Sequence, residues 1–370
     1  MKSLVRLIAF ALLAGPAVLP AQTGFNSLYV FGDGVSTTTN NTSGYSVYWG
    51  DRFCNGRAWV EVLAQRLGIP NNTVTDVNWS YSGNNWSYFG HTSSDLAQNV
   101  NNFTAPTNAN TALFVVWVNN ADFVTTMDTY GANNAAAWAN ASNQSLTNHW
   151  RALTNLYYAK GARMLVMPNA VDITEIPAYT HVADPGKTAV RQTIVSFNTA
   201  FAALLNQARA SLPGVRIYSL DMFALLDNMV AHAADYGLTN ALLNGKTIDA
   251  LDDPSLALSS LNGPGGNYIF WDDMDPTAKT HEVMADVALR LISPPSLGQL
   301  TLLNGSNRLD VASMPVGLSG FVDARTDLQA GNWTTLTKIT STNVTQTIFV
   351  PASGQQQFYR LRFPFGWSWP

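Results

Sequence analysis

Four aspartates stand where this chain could do chemistry. Asp33 lies in Phe31-Gly32-Asp33-Gly34, Asp122 follows Asn119-Asn120-Ala121, and Asp272 and Asp275 lie in Trp271-Asp272-Asp273-Met274-Asp275-Pro276. With no histidine in these motifs to share the charge, such carboxylates must accept backbone N–H groups, shift their pKa upward, or coordinate a cation. Asp275 before Pro276 also has the pattern of a helix N-cap with proline in the first turn. Asp33 has the bracing of its turn as its competing role. Ser36 is the nearest hydroxyl to that turn, with a helix-start cap as its competing role. His281 sits six residues beyond Asp275. A helix would carry it about 9 Å along the axis, so packing is expected of it before proton transfer. Asn119 and Asn120 can offer amides or cap a strand end. Trp49, Trp59, Trp86, Trp117 and Trp271 could stack on sugar rings, although core packing is the commoner use of such residues.

The elements that must position these groups show in the hydrophobic pattern. Leu28 to Phe31 is apolar and ends in Gly32-Asp33-Gly34, a strand meeting a turn. Ala112 to Val118, Met164 to Met167 and Val215 to Leu220 are further short apolar runs, as expected of parallel strands buried on both faces. Helices are expected over Trp59 to Leu67, Ala135 to Lys160, Thr188 to Ser211 and Thr277 to Leu291. In the third of these, Ile194, Phe197, Phe201, Leu204 and Leu205 fall at helical spacing. Strands alternating with helices imply an α/β fold, a doubly wound sandwich around a parallel sheet. Ligands in such folds sit at the carboxyl ends of the strands. Ser293-Pro294-Pro295-Ser296 marks a boundary near 292. From Leu297 to Pro370 the chain turns to Thr-rich alternating runs, with Tyr359, Leu361 and Phe363 on one strand face. A small C-terminal antiparallel β domain is expected there. It resembles the β-sandwich modules that close many exported bacterial proteins.

Composition narrows the function classes. Of 370 residues, 20 are basic and 24 acidic, and charged residues make up 12%, about half the usual share of roughly 25%. A net charge of −4 excludes a basic nucleic-acid-binding surface as the default. The single cysteine, Cys54, excludes an internal disulfide framework and any multi-Cys metal site. Lys2 and Arg6 precede an apolar run, Leu7 to Leu13, with small residues up to Ala21. That is the order of a secretory signal peptide over residues 1–21. The run falls short of the roughly 20 residues a membrane span needs. A secreted or periplasmic protein is expected, and the absence of disulfides points to a bacterium.

Five motifs in order resemble the SGNH/GDSL hydrolase family. Val30-Phe31-Gly32-Asp33-Gly34-Val35 stands where that family has Phe-Gly-Asp-Ser-Leu. Asn85-Trp86-Ser87-Tyr88-Phe89-Gly90 resembles its second block, and Val116-Trp117-Val118-Asn119-Asn120-Ala121-Asp122 its third. Phe197-Asn198 and Asp235-Tyr236-Gly237 also match family positions. Phe270-Trp271-Asp272-Asp273-Met274-Asp275-Pro276-Thr277 matches the last block, Phe-Trp-Asp-x-x-His-Pro-Thr. A near repeat of the second block occurs at Asn78 to Gly83; Gly90 is preferred because Ser94-Asp95-Leu96 follows it. The resemblance covers about residues 25 to 292. It implies a flavodoxin-like three-layer α/β/α sandwich, no cofactor and no metal, and ester or acyl hydrolysis by a Ser-His-Asp triad with an oxyanion hole.

Carried over by position, the resemblance puts Gly34 at the nucleophile, Asp275 at the histidine and Asp272 at the orienting aspartate. It puts Gly90 at the oxyanion glycine and Ala121 at the oxyanion asparagine, with Asn119 or Asn120 as replacements. Losing the serine or histidine of a triad costs about 10⁶ in turnover, so the standard mechanism cannot run. Two readings follow. One is an exported hydrolase of small-molecule esters that uses substituted groups, Ser36 among them. The other is a catalytically silent fold that binds a glycan or envelope polymer.

Overall fold

The computed structural model describes residues 24–38, 47–69, 84–257, 260–329, 331–352 and 356–363. The signal-peptide reading of residues 1–21 and the near repeat at 78–83 lie outside them.

Four short strands build the central sheet: β1 (Leu28–Gly32), β2 (Leu113–Trp117), β3 (Met164–Val166) and β4 (Arg216–Tyr218). They pair in parallel in that order. All five residues of β2 are buried, as an unbroken apolar run requires when both faces of a parallel strand are covered. The segment around Asn85 runs beside the free edge of β1. Val30 N–H donates to Asn84 O at 2.9 Å and Trp86 N–H to Val30 O at 2.7 Å, in a parallel bridge between Val30 and Asn85. Counting that bridge as a vestigial strand, the order becomes the 2-1-3-4-5 of a flavodoxin-like sheet.

Among the described residues seven helices surround the sheet: α1 (Trp59–Arg66), α2 (Ser93–Asn102), α3 (Asn119–Tyr130), α4 (Ala135–Tyr158), α5 (Gly186–Ser211), α6 (Met222–Ala231) and α7 (Ala278–Ile292). Helices α1, α4, α5 and α7 fall where periodicity predicts them. Helices α2, α3 and α6 do not. α2 is polar in composition and relies on a capping box, in which Thr92 accepts from Ser94 N–H and Asp95 accepts from Thr92 N–H. Asn119 does more than cap a strand end, since it opens α3. A two-residue hairpin, β5 (Leu242–Leu243) with β6 (Lys246–Thr247), interrupts the run between α6 and α7.

Beyond α7 the chain forms two three-stranded antiparallel sheets. β7 (Ser296–Leu303), β8 (Ser306–Ala312) and β11 (Thr345–Pro351) make one, and β9 (Ser319–Arg325), β10 (Thr334–Thr340) and β12 (Phe358–Arg362) the other. Their shared core holds Leu309, Val311, Met314, Val322, Ile339, Ile348 and Val350. This unit meets the α/β part at the end of α1. Val316 N–H donates to Arg66 O at 3.1 Å, and Arg66 pairs with Asp286 of α7 at 3.2 Å.

Candidate functional site

Strand β1 ends in a tight turn that leaves no room for a side chain at Gly32. A Cβ on Gly32 would come within 2.6 Å of Ser87 Oγ and 2.9 Å of Ser36 Cβ. Asp33 then caps a single 3-10 turn, Gly34–Ser36, its Oδ1 accepting from Val35 N–H at 3.2 Å. Gly34 thus sits at the carboxyl edge of the sheet, where an α/β fold presents its ligand site. A Cβ built there would lie 3.9 Å from Asp275 Oδ1 and 3.3 Å from Phe89 Cδ2.

Asp275 reaches this point through the segment before α7. Asp272 organises the segment: its Oδ1 accepts from Met274 N–H (3.0 Å) and Asp275 N–H (2.6 Å), and its Oδ2 from the Tyr48 hydroxyl (2.7 Å). The N-cap of α7 is Thr277, whose side chain accepts from Thr280 N–H. Asp275 is therefore not the cap that the Asp-Pro pattern suggested, and its carboxyl remains free for the site.

Gly34 and Asp275 line a cavity of about 350 Å³, a volume suited to a small ligand. Its walls are mainly apolar, from Val124, Val171, Ile176, Leu225, Met229 and Met284 among others. Gly90 and Asn120 also line it. Asn120 Oδ1 accepts from Val171 N–H at 3.0 Å, which turns the amide nitrogen away from that bond. Gly34, Gly90, Asn120 and Asp275 are thus brought together around one space. Asn119 is not among them: it is buried and donates to Pro168 O at 3.0 Å. Asp272 stands behind the site as the support of Asp275.

Ser36 does not line the cavity. It is wholly buried, and its Oγ accepts from the Trp59 indole at 3.0 Å. His281 is equally occupied, its Nδ1 accepting from Trp59 N–H at 3.1 Å, and burial lowers its pKa to about 3. Both residues pin the start of α1 to the turn and to α7. Ser36→Ala, which strands a buried indole N–H, should cost about 1–3 kcal/mol in chemical denaturation and leave ligand binding in the cavity unchanged.

The carboxyls are electrostatically uneasy. Asp33 is held at about 7, chiefly by burial. Asp275 is raised well above the usual carboxylate range by burial first, then by the charges of Asp272, Asp33 and Asp273. Asp272 is raised by burial against its three hydrogen bonds. Among the described residues no cluster of His, Cys, Asp and Glu has the arrangement to hold a metal ion. Sequence reasoning missed Tyr48, 224 positions from Asp272, and the wall supplied by α6. The Tyr48 contact has no local signal, while the dense apolar run of α6 could have marked a buried helix.

The site thus lies at the carboxyl edge of a parallel sheet, between the turn after β1 and the segment before the last helix of the α/β part. The family model for GDSL-like lipase/acylhydrolase matches residues 28–288, and the chain belongs to that family. A GDSL esterase/lipase of Arabidopsis thaliana is 24% identical over 346 residues, covering 78% of this chain and 88% of that protein. The thermolabile hemolysin of Vibrio parahaemolyticus is 21% identical over 288 residues, covering 74% of this chain and 65% of the hemolysin. Among solved structures, a lipase from a goat rumen metagenome aligns with TM-score 0.39 and 13% identity, over 70% of this chain and 94% of that one. An extracellular lipase from Streptomyces rimosus aligns with TM-score 0.37 and 15% identity, over 72% and 99%.

Proposed function

We propose that this chain is an exported member of the GDSL family that binds an apolar, acyl-type chain and does not cleave it by serine chemistry. The observation that carries the reading is Gly34 beside Asp275 on the wall of an apolar cavity, with no serine or histidine among the described residues that line it. Removing a triad's serine or histidine lowers turnover about 10⁶-fold. The Asp275 carboxyl, raised well above the usual carboxylate range by burial and then by neighbouring carboxylates, has no serine hydroxyl among the described cavity residues to deprotonate. Ser36 is spent on Trp59.

The walls favour an aliphatic chain over a sugar. Trp59, Trp117 and Trp271 are at most 2% exposed, which leaves little ring face on which a glycan could stack. Export rests on Lys2, Arg6 and the apolar run after them. Among the described residues no helix is long and apolar enough to cross a membrane.

The test is a purified-protein assay with short- and long-chain p-nitrophenyl esters, a fluorophosphonate label and a fluorescent apolar probe. Turnover at the buffer rate, no labelling and saturable probe binding are expected. Label on any serine, or turnover above buffer, would overturn the reading.

A further inference from the structure

The family's acid–base pair normally brings one group that can be cationic, the histidine, into the site. Here that position is Asp275, and the described residues that line the cavity include Asp33, Asp128 and Asp275 but no lysine, arginine or histidine. These carboxyls differ in what they already hold. Asp128 accepts from the Tyr179 hydroxyl at 2.7 Å, and Asp33 from Val35 N–H. Asp272, just behind, accepts three donors. The Asp275 carboxyl is 5% exposed and lines the cavity, and what acts on it is burial and the charges of Asp272, Asp33 and Asp273, with no hydrogen bond from the described residues among them. The room beside its Oδ1 is the room that Gly34 leaves by having no side chain.

We propose that the ligand is an apolar chain carrying an ammonium group, and that Asp275 is the counter-ion that holds it. The proposal rests on the cavity's being a binding site for an aliphatic chain, as argued above. A buried carboxyl without a partner is costly and takes up a proton instead. Every titratable group facing Asp275 compounds that cost or leaves it unrelieved: Asp272 and Asp273 from its own segment, Asp33 from the β1 turn, and Tyr48 and Cys54 from the 47–57 segment. His281 on α7 is buried and uncharged at neutral pH, and Arg52 is bound to buried Glu61. An ammonium placed against Asp275 stabilises the ionised form, which no cationic group among the described cavity residues does. A carboxylate head would meet Asp33, Asp128 and Asp275 with no cation among the described lining residues to balance it. Because the cation binds the ionised form of Asp275, its affinity should rise with pH, whereas that of an uncharged chain should not.

The experiment compares dodecylamine, 1-dodecanol and dodecanoic acid as competitors for the fluorescent apolar probe on the full chain. At pH 8 dodecylamine should bind at least about tenfold tighter than the alcohol, and the acid weakest. Asp275→Asn, close to isosteric, should bring the amine to the level of the alcohol and leave the alcohol within about twofold. Gly34→Ala, which fills the room beside Oδ1, should weaken the amine. From pH 5 to pH 8 amine affinity should rise while alcohol affinity stays flat. Equal binding of amine and alcohol, tightest binding of the acid, or an Asp275→Asn protein that keeps the amine preference would each overturn the proposal while sparing the aliphatic-chain reading. Failure of all three competitors to displace the probe would overturn both.

Discussion

A variant carrying Gly34→Ser and Asp275→His together will hydrolyse a short-chain p-nitrophenyl ester at least about 10³-fold faster than the native chain, and neither single substitution will. Residues that act as a unit are not additive: a serine without its base, or a base without its serine, gives little. The geometry for the pair is already in place. A side chain at position 34 projects toward position 275, with a Cβ-to-Oδ1 distance of 3.9 Å. The one tight neighbour, Phe89 Cδ2 at 3.3 Å, belongs to a ring that is 57% exposed and can swing away. Asp272 lies three residues before position 275 and is fixed by two backbone N–H groups, so it can orient an imidazole. Its Oδ2, however, is taken by the Tyr48 hydroxyl. Adding Tyr48→Phe to the double variant should therefore raise turnover further. Ester turnover and fluorophosphonate labelling check the whole series. A folded double variant that neither turns over nor labels would show that the loss extends beyond these two positions.

The second large effect concerns pH. Folding stability should fall as pH rises from about 4 to about 7, against the usual acid-sensitive pattern. Asp33 is raised from 3.8 to about 7, and Asp122, Asp249 and Asp286 to about 6, each chiefly by burial. Between the unfolded and folded values the native state holds more protons than the unfolded chain. The stability these groups give is thus fully present below pH 4 and is lost as pH climbs through the folded values. For Asp33 alone, moving from 3.8 to about 7 corresponds to roughly 4 kcal/mol at pH 8. Asp323 works in the opposite sense. Its hydrogen bonds to Arg362, Thr335 and Arg360 lower it to about 2, so its contribution is lost only as pH falls from about 4 toward 2. The stability maximum should therefore lie near pH 4 to 5. Asp33→Asn keeps the acceptor for Val35 N–H and removes the charge. It should raise Tm at pH 8 and leave it nearly unchanged at pH 4, as thermal unfolding at the two pH values will show. A lower Tm for the variant at pH 8 would mean that Asp33 is native as a carboxylate.

Much of the scaffold was legible because burial imposes period. The runs at Leu113 and Met164 are apolar throughout and wholly buried, since those strands are covered on both faces, that at Leu28 is nearly so, and the long helices carry a stripe at helical spacing; β4, at the sheet's edge, opens on an exposed arginine. Helix α2 was not legible: its polar sequence is held by a local cap and by docking against α4, and neither produces an apolar stripe. The site was legible in part. Gly34, Gly90, Asn120 and Asp275 follow from motif position and share one cavity, whereas Ser36 and Asn119, close by in sequence, turn into the core.

The covalent chain by itself determined which groups positions 34 and 275 can offer. A glycine at 34 has no atom with which to attack, and an aspartate at 275 has no imidazole, whatever the fold does around them. Tertiary structure alone decided what those absences became. It buried Asp275 among other carboxyls, directed the Ser36 and His281 side chains to Trp59, and set apolar walls from α3, α6 and α7 around the gap. Residue type sets which reactions are available, but charge balance and access depend on neighbours brought from more than two hundred positions away, as Tyr48 is to Asp272.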